Sequence, residues 1–170
     1  MPSLDLYENL CQQLSLLTRQ VEGVAKANPV CRRLMTAPGV GPIIALSFVT
    51  AVDDPWRFAK SGDIGAYFGL TPKQYQSGET DRQVGISRLG NAMTRQHLVQ
   101  AATVLLISTR TWSTLRAWGM KIAKKRGFSK ARIAVARKLA IILHRMWIAN
   151  EDFRWTANAD EEELAVRVAA

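Results

Sequence analysis

The chain has 170 residues, 48% of them hydrophobic, which suits one globular domain or a domain with an appendage and is too apolar for a disordered chain. No run of about 18 apolar residues occurs and the N-terminus carries Asp5 and Glu8 where a signal peptide needs cations, so neither a membrane span nor a secretion signal is expected. Cys11 and Cys31 are the two cysteines and form no CxxC pair, which speaks against a zinc site or disulfide framework and fits a reducing cytoplasm.

Residues 4–27 read as a helix. Tyr7, Leu10, Leu14, Leu17, Val21 and Val24 follow one another at spacings of 3, 4, 3, 4 and 3, an a/d heptad seam. Such a seam packs either on the domain's own core or on a second chain as a coiled coil. Asn28-Pro29 stops the helix. A short helix to Thr36 then precedes Pro38-Gly39-Val40-Gly41-Pro42, and Pro42 suits the first position of a second helix over 43–49. This pattern is a helix-hairpin-helix signature. Gly39, Val40 and Gly41 are candidate contacts to a DNA backbone, because glycine lets N–H groups approach a phosphate closely. A plain interhelical turn is the other reading.

Asp53-Asp54-Pro55 reads as a capping turn; adjacent carboxylates on a turn diverge, so no metal site is expected there. A short helix over 63–67 ends at Gly69. Residues 70–90 read as an irregular loop or a small hairpin punctuated by Gly78, Gly85 and Gly90. Asn91 caps a helix to about Ser108 with Leu98, Ala101, Ala102 and Leu105 inward. A further helix spans 112–126 with Leu115, Trp118 and Ile122 inward. Ser129 is expected to cap a last helix to about Asn150, whose core face is Ile133, Ala136, Leu139, Ala140, Leu143 and Trp147. Residues 151–170 read as an acidic, flexible tail.

The net charge is +9 and it is segregated. Residues 1–72 hold 6 basic and 6 acidic groups, residues 73–145 hold 15 and 2, and residues 146–170 hold 2 and 6. From Arg82 to Asn150 there are 14 Lys or Arg and no Asp or Glu. A polyanionic partner, DNA or RNA, is the simplest reason for such a surface. Lys124, Lys125, Arg126 and Lys130 form its densest cluster, part of which suits a helix C-terminus.

Ser77 is the best nucleophile candidate, a hydroxyl beside Gly78 with Arg82, Arg88 and Arg95 following to hold a phosphate. A turn serine is the plain alternative, and Ser87 is the rival. Glu79 and Asp81 offer a base or a Mg²⁺ contact, or are solvated loop charges. His97 and His144 lack Cys, Asp or Glu at ligand spacing and read as structural, so no metal site is assigned to this chain.

Taken in order, Leu34 to Ala45, Arg57-Phe58, Ala66 to Pro72, Gln76-Ser77-Gly78, Gly85 to Asn91 and Arg95 to Ala102 resemble the C-terminal domain of the insertion-sequence 110/116/902-type transposases, the DEDD family related to Piv-type invertases. The heptad helix is similar to the coiled coil that precedes that domain. The resemblance implies a mostly α fold divided into a dimerisation helix (1–28), a DNA-binding and serine domain (29–150) and a tail (151–170). It implies that Ser77 attacks DNA to give a 5′-phosphoserine link in transposition directed by a guide RNA. It also implies a RuvC-like acidic domain that binds Mg²⁺ and completes the active site, and which residues 1–170 are expected to lack. The expected partners are DNA, guide RNA and a second copy of the chain, with no membrane, in the bacterial cytoplasm at the nucleoid. The alternatives are a non-catalytic nucleic-acid-binding module that uses the helix-hairpin-helix, and a basic coiled-coil adaptor for RNA or ribosomes.

Overall fold

The computed structural model describes residues 2–77 and 80–155, with side chains for residues 4–73 and 85–155. The expected acidic tail from residue 156 onward lies outside the described residues. Those that are described form seven α-helices, one 3-10 turn and one two-stranded sheet, a mostly α fold as expected.

Helix α1 (Pro2–Ala27) ends where Asn28 takes over as the cap of α2 (Pro29–Leu34). The Asn28 side chain accepts from the N–H groups of Val30 at 2.8 Å and Cys31 at 3.2 Å, and Pro29 occupies a first-turn position that needs no donor. Gly39, at φ 80°, turns the chain into α3 (Pro42–Val52), which Pro42 opens as expected. Asp54 caps the 3-10 turn Pro55–Arg57 by accepting from Trp56 N–H at 2.9 Å, and α4 (Asp63–Tyr67) follows.

Strands β1 (Pro72–Ser77) and β2 (Thr80–Ile86) make an antiparallel ribbon, the second of the two readings, irregular loop or small hairpin, that the sequence left open. Its register breaks between Pro72 and Gln74, where Gly85 at φ 53° supplies the left-handed residue of a bulge. Asn91 caps α5 (Ala92–Ile107) by accepting from Thr94 N–H at 3.0 Å. Ser113 caps α6 (Thr114–Arg126), which begins two residues later than the sequence pattern indicates.

Helix α7 (Phe128–Ala149) corrects a second expectation. Its cap is Gly127 at φ 85°, and Ser129 lies inside the first turn. With only one residue between α6 and α7, glycine takes the left-handed conformation that both ends a helix and starts the next.

Helix α7 is the hub, packed against α2, α4, α5, α6 and the 3-10 turn. Leu139 and Leu143 on α7 are fully buried with Leu34, Phe48, Ile64, Phe68, Leu98 and Leu105 from the surrounding helices. Gly119 lets α6 come close: a β-carbon there would sit 2.6 Å from Val135 Cγ2 and 2.7 Å from Leu106 Cδ2. Besides the cap Ser113, three polar residues are buried with partners. Ser47 and Thr94 share a hydroxyl contact of 3.0 Å between α3 and α5, and His144 joins Ser61 Oγ at 2.9 Å to the Pro55 carbonyl at 2.8 Å. His144 is therefore the satisfied core histidine expected of it.

Helix α1 does not use its seam to pack on the domain's own core. Its C-terminal turn docks through Ala25, which is fully buried, but the seam points to solvent: Tyr7 is 66% exposed, Leu10 59%, Leu14 66%, Leu17 58% and Val24 57%. The domain's own core thus covers little of the heptad face.

Candidate nucleic-acid interface

The ribbon is held at its root by a pinch between two loops. Gly69, at φ 63°, would put a β-carbon against Leu89 N and within 2.5 Å of Leu89 O; Gly90, at φ 71°, would put one against Tyr67 O. Only glycine satisfies both the left-handed backbone and the contact. Ser87 N–H donates to Thr71 O at 2.9 Å and Arg88 N–H to Gly69 O at 3.2 Å, which extends the pairing past the strand ends. Arg95 then closes the pinch, with Nη1 donating to Leu89 O at 2.8 Å and to Phe68 O at 3.3 Å. One guanidinium thus bonds both chains entering and leaving the ribbon.

The neighbouring aromatic cluster supports this root. Arg57 lies over the rings of Phe58 and Tyr67, 5.3 and 5.1 Å from their centroids. Tyr67 O–H donates to Ala51 O at 2.9 Å, and its ring meets Phe58 and Phe68 edge-on at 5.1 Å each. Arg57-Phe58, Tyr67 to Gly69, Ser87 to Gly90 and Arg95, all among the residues that carried the family resemblance, therefore build the base from which the ribbon rises.

Ser77 is the last residue of β1 and pairs in register with Thr80 at the far end of the ribbon. Gly78 and Glu79 lie outside the described residues, as do the side chains of Ser77, Asp81 and Arg82; Arg82 is opposite Tyr75 in the register. The strands pair with each other and, among the described residues, run along no helix. With about 3.3 Å per strand residue, Ser77 stands ~17 Å from Pro72 at the root. Arg95 does point back at the serine ribbon, but at its root rather than its tip. Arg88 is exposed beside that root, with φ 58°.

The hairpin at residues 39–41 is divided in its surroundings. Gly39 faces the Ala101 carbonyl of α5, so it serves close packing between α3 and α5. Val40 buries its side chain, 6% exposed, and donates its N–H to Ala37 O at 3.1 Å. Gly41 has open space where a β-carbon would be. Of the two glycines, both half-buried, Gly41 is thus the one whose side-chain direction is open.

The remaining candidates gather at the α6–α7 corner. Lys124, Lys125 and Arg126 form the last turn of α6 and Lys130 the first turn of α7; all four are exposed and none pairs with a described carboxylate. Gly127 between them leaves open space around its Cα. Sequence reasoning missed the Gly69–Leu89 and Gly90–Tyr67 approaches, although glycines flanking both ends of a hairpin were the available signal. Among the described residues no group of three His, Cys, Asp or Glu side chains is placed to hold a metal, and no helix is long and apolar enough to cross a membrane.

Fold and charge together define a basic, mostly helical domain that carries a β-ribbon. The chain belongs to the transposase IS116/IS110/IS902 family, whose model matches residues 31–117, from α2 through the ribbon to the start of α6. It is 35% identical over 136 residues to a transposase for insertion sequence element IS1111A of Coxiella burnetii, covering 79% of this chain and 37% of that one. A putative transposase y4pF/y4sB of Sinorhizobium fredii is 33% identical over 150 residues, 87% of this chain and 39% of its own length. A transposase for insertion sequence element IS1328 of Yersinia enterocolitica is 35% identical over 100 residues, 59% and 30% respectively. The chain spans well under half the length of these curated relatives.

Proposed function

We propose that this chain is the strand-joining part of a DNA transposase, with Ser77 as the nucleophile. The observation that carries the reading is the position of Ser77 at the end of a ribbon that stands off the helical body, on a chain whose residues 82–150 are basic without a single acidic group. A two-stranded ribbon fits a DNA groove, and cations on the adjoining helices hold the phosphate backbone by counterion release. In the proposed step the Ser77 hydroxyl oxygen attacks the phosphorus of a phosphodiester. The bond to the 3′ oxygen breaks, the serine proton leaves to a base and the departing 3′ oxygen takes up a proton. The product is a 5′-phosphoserine link whose bond energy is kept for rejoining to an incoming 3′ hydroxyl. Arg82, Arg88, Lys124, Lys125, Arg126 and Lys130 are assigned to phosphate contacts, Gly41 to a backbone contact beside the α3 N-terminus, and Arg95 to holding the ribbon.

Mg²⁺ and the remaining catalytic groups are assigned to a RuvC-like acidic domain outside these residues, and the choice of site to a guide RNA. The exposed heptad face of α1 is assigned to a second copy of the chain, because a seam with five of its six apolar a/d positions left in water is stabilised by a partner helix. Sedimentation of the wild type and of Leu14→Asp tests that part: a dimer that becomes a monomer supports it, and a wild-type monomer refutes it.

The central test is covalent trapping. The chain and its Ser77→Ala variant are mixed with Mg²⁺, junction DNA and RNA, with and without a separately supplied RuvC-like domain, and run on a denaturing gel. A Ser77-dependent adduct supports the reading; one that needs the added domain assigns this chain half of an active site. DNA binding without an adduct in any mixture would favour a non-catalytic binding module instead.

A further inference from the structure

We propose that the groove between the root of the ribbon and α5 holds one unpaired nucleotide of the DNA; this rests on the transposase reading above. The groove has a volume of about 370 Å³ and is lined by Ile86 of β2, Arg95, Gln96, Val99 and Gln100 of α5, and Arg132 of α7. That is at the small end of the range of about 300–1,000 Å³ for small-molecule sites, room for one nucleotide.

Its chemistry is that of a base reader. Ile86 and Val99 are half-buried and give an apolar surface for the face of a ring. Gln96 and Gln100 lie one turn apart on one face of α5, both exposed, and neither side chain bonds to another described residue. A glutamine amide offers a donor and an acceptor in one plane, which matches the paired acceptor and donor on an adenine edge. Thr103, at the next turn, spends its hydroxyl on Val99 O at 2.8 Å, so it presents its methyl and leaves the amides as the polar readers. Arg132 is exposed on the rim and in no ion pair with a described carboxylate, where it can meet the nucleotide's phosphate. Arg95 is already fixed by the Leu89 and Phe68 carbonyls, so this wall is preorganised.

The groove adjoins the base of the ribbon that carries Ser77. A tip ~17 Å away corresponds to about five steps of a duplex strand at ~3.4 Å each. A nucleotide taken out of the stack here fixes the register of the strand relative to the tip. Extraction costs least at a bulge or junction, where pairing is already lost.

The experiment uses the full chain and fluorescence anisotropy with three DNAs: a fully paired duplex, the same duplex with one extra unpaired adenosine, and that bulge with an abasic residue in place of the adenosine. The bulged duplex is expected to bind about tenfold more tightly than the paired one, the abasic bulge to lose that gain, and Gln100→Ala to remove the preference while leaving paired-duplex affinity unchanged. Gln100→Trp, which fills the groove, should do the same, with thermal melts confirming that both variants fold. Equal wild-type affinity for the three DNAs, or a preference that survives both substitutions, would overturn the groove assignment and leave the transposase reading standing. Failure of the wild type to bind any of the three would overturn that reading, and the groove assignment with it.

Discussion

Gly90 lies so close to Tyr67 that a β-carbon on the glycine would overlap the Tyr67 carbonyl oxygen. Together with its companion at Gly69 and Leu89 and the Arg95 guanidinium, this approach ties the root of the serine ribbon to the helical body. Among the described residues the ribbon's strands run along no helix, so the contacts at the root bear on its orientation.

Substitution of Gly90 or Gly69 by alanine should therefore do more than strain one residue. Each glycine has a positive φ, 71° and 63°, and each faces backbone that cannot swing away. A loss of about 1–3 kcal/mol is expected in urea unfolding. Limited proteolysis should cut within residues 72–86 faster in the variants than in the wild type. Alanine at Gly41, which meets open space at an ordinary φ of −91° but caps α3, is the control and should leave the proteolysis of residues 72–86 unchanged.

Arg95 is expected to act through position rather than through phosphate. Arg95→Ala removes both carbonyl bonds and should cost about 1–2 kcal/mol. Arg95→Lys restores charge but not the longer, planar guanidinium whose Nη1 reaches both acceptors, so it should recover DNA affinity at low salt without recovering protection of the ribbon. Recovery of both by lysine would show that the charge, not the geometry, is what matters.

Replacing Lys124, Lys125, Arg126 and Lys130 together by glutamine should flatten the dependence of log affinity on log salt by up to about 3.6, at about 0.9 for each phosphate no longer neutralised. Stability should change little, since the four side chains are exposed and make no ion pairs with described carboxylates. An unchanged salt slope would remove the α6–α7 corner from the interface.

The two cysteines should separate cleanly in alkylation. Cys11 is exposed on α1; Cys31 is buried, and burial pushes its thiol above the ordinary value of 9.0. Iodoacetamide at pH 8 should label Cys11 in the native chain and both residues in urea. The folded chain keeps the Cys31 proton to higher pH than the unfolded chain does. Its contribution to stability is thus present below pH 9.0 and lost as the pH rises from there through the raised value. A Cys31→Ser variant should lack that alkaline loss.

The helices and their boundaries were legible because the signals are local. Asn28, Asp54 and Asn91 cap through their own side chains, Pro42 opens α3 at a first-turn position, and the spacing of Leu98, Ala101, Ala102 and Leu105 declares a buried face within a single helix. The one misplaced cap, Ser129 for Gly127, arose because a cap depends on how many residues separate two helices in space, which no single position records. The family motifs were equally visible as an ordered set of residues. Their work was not: Gly69, Gly90 and Arg95 matter because segments about 20 residues apart in sequence touch, and Gly39 because α5 comes to rest against it. The direction of the α1 seam had the same origin. Periodicity established that Tyr7, Leu10, Leu14 and Leu17 share a face, whereas only the packing of α2 and α3 against the last turns of α1 decided that this face is left in water. Pattern along the chain selects which residues lie together on one element; what that element meets depends on long-range contacts, which tertiary structure alone supplies.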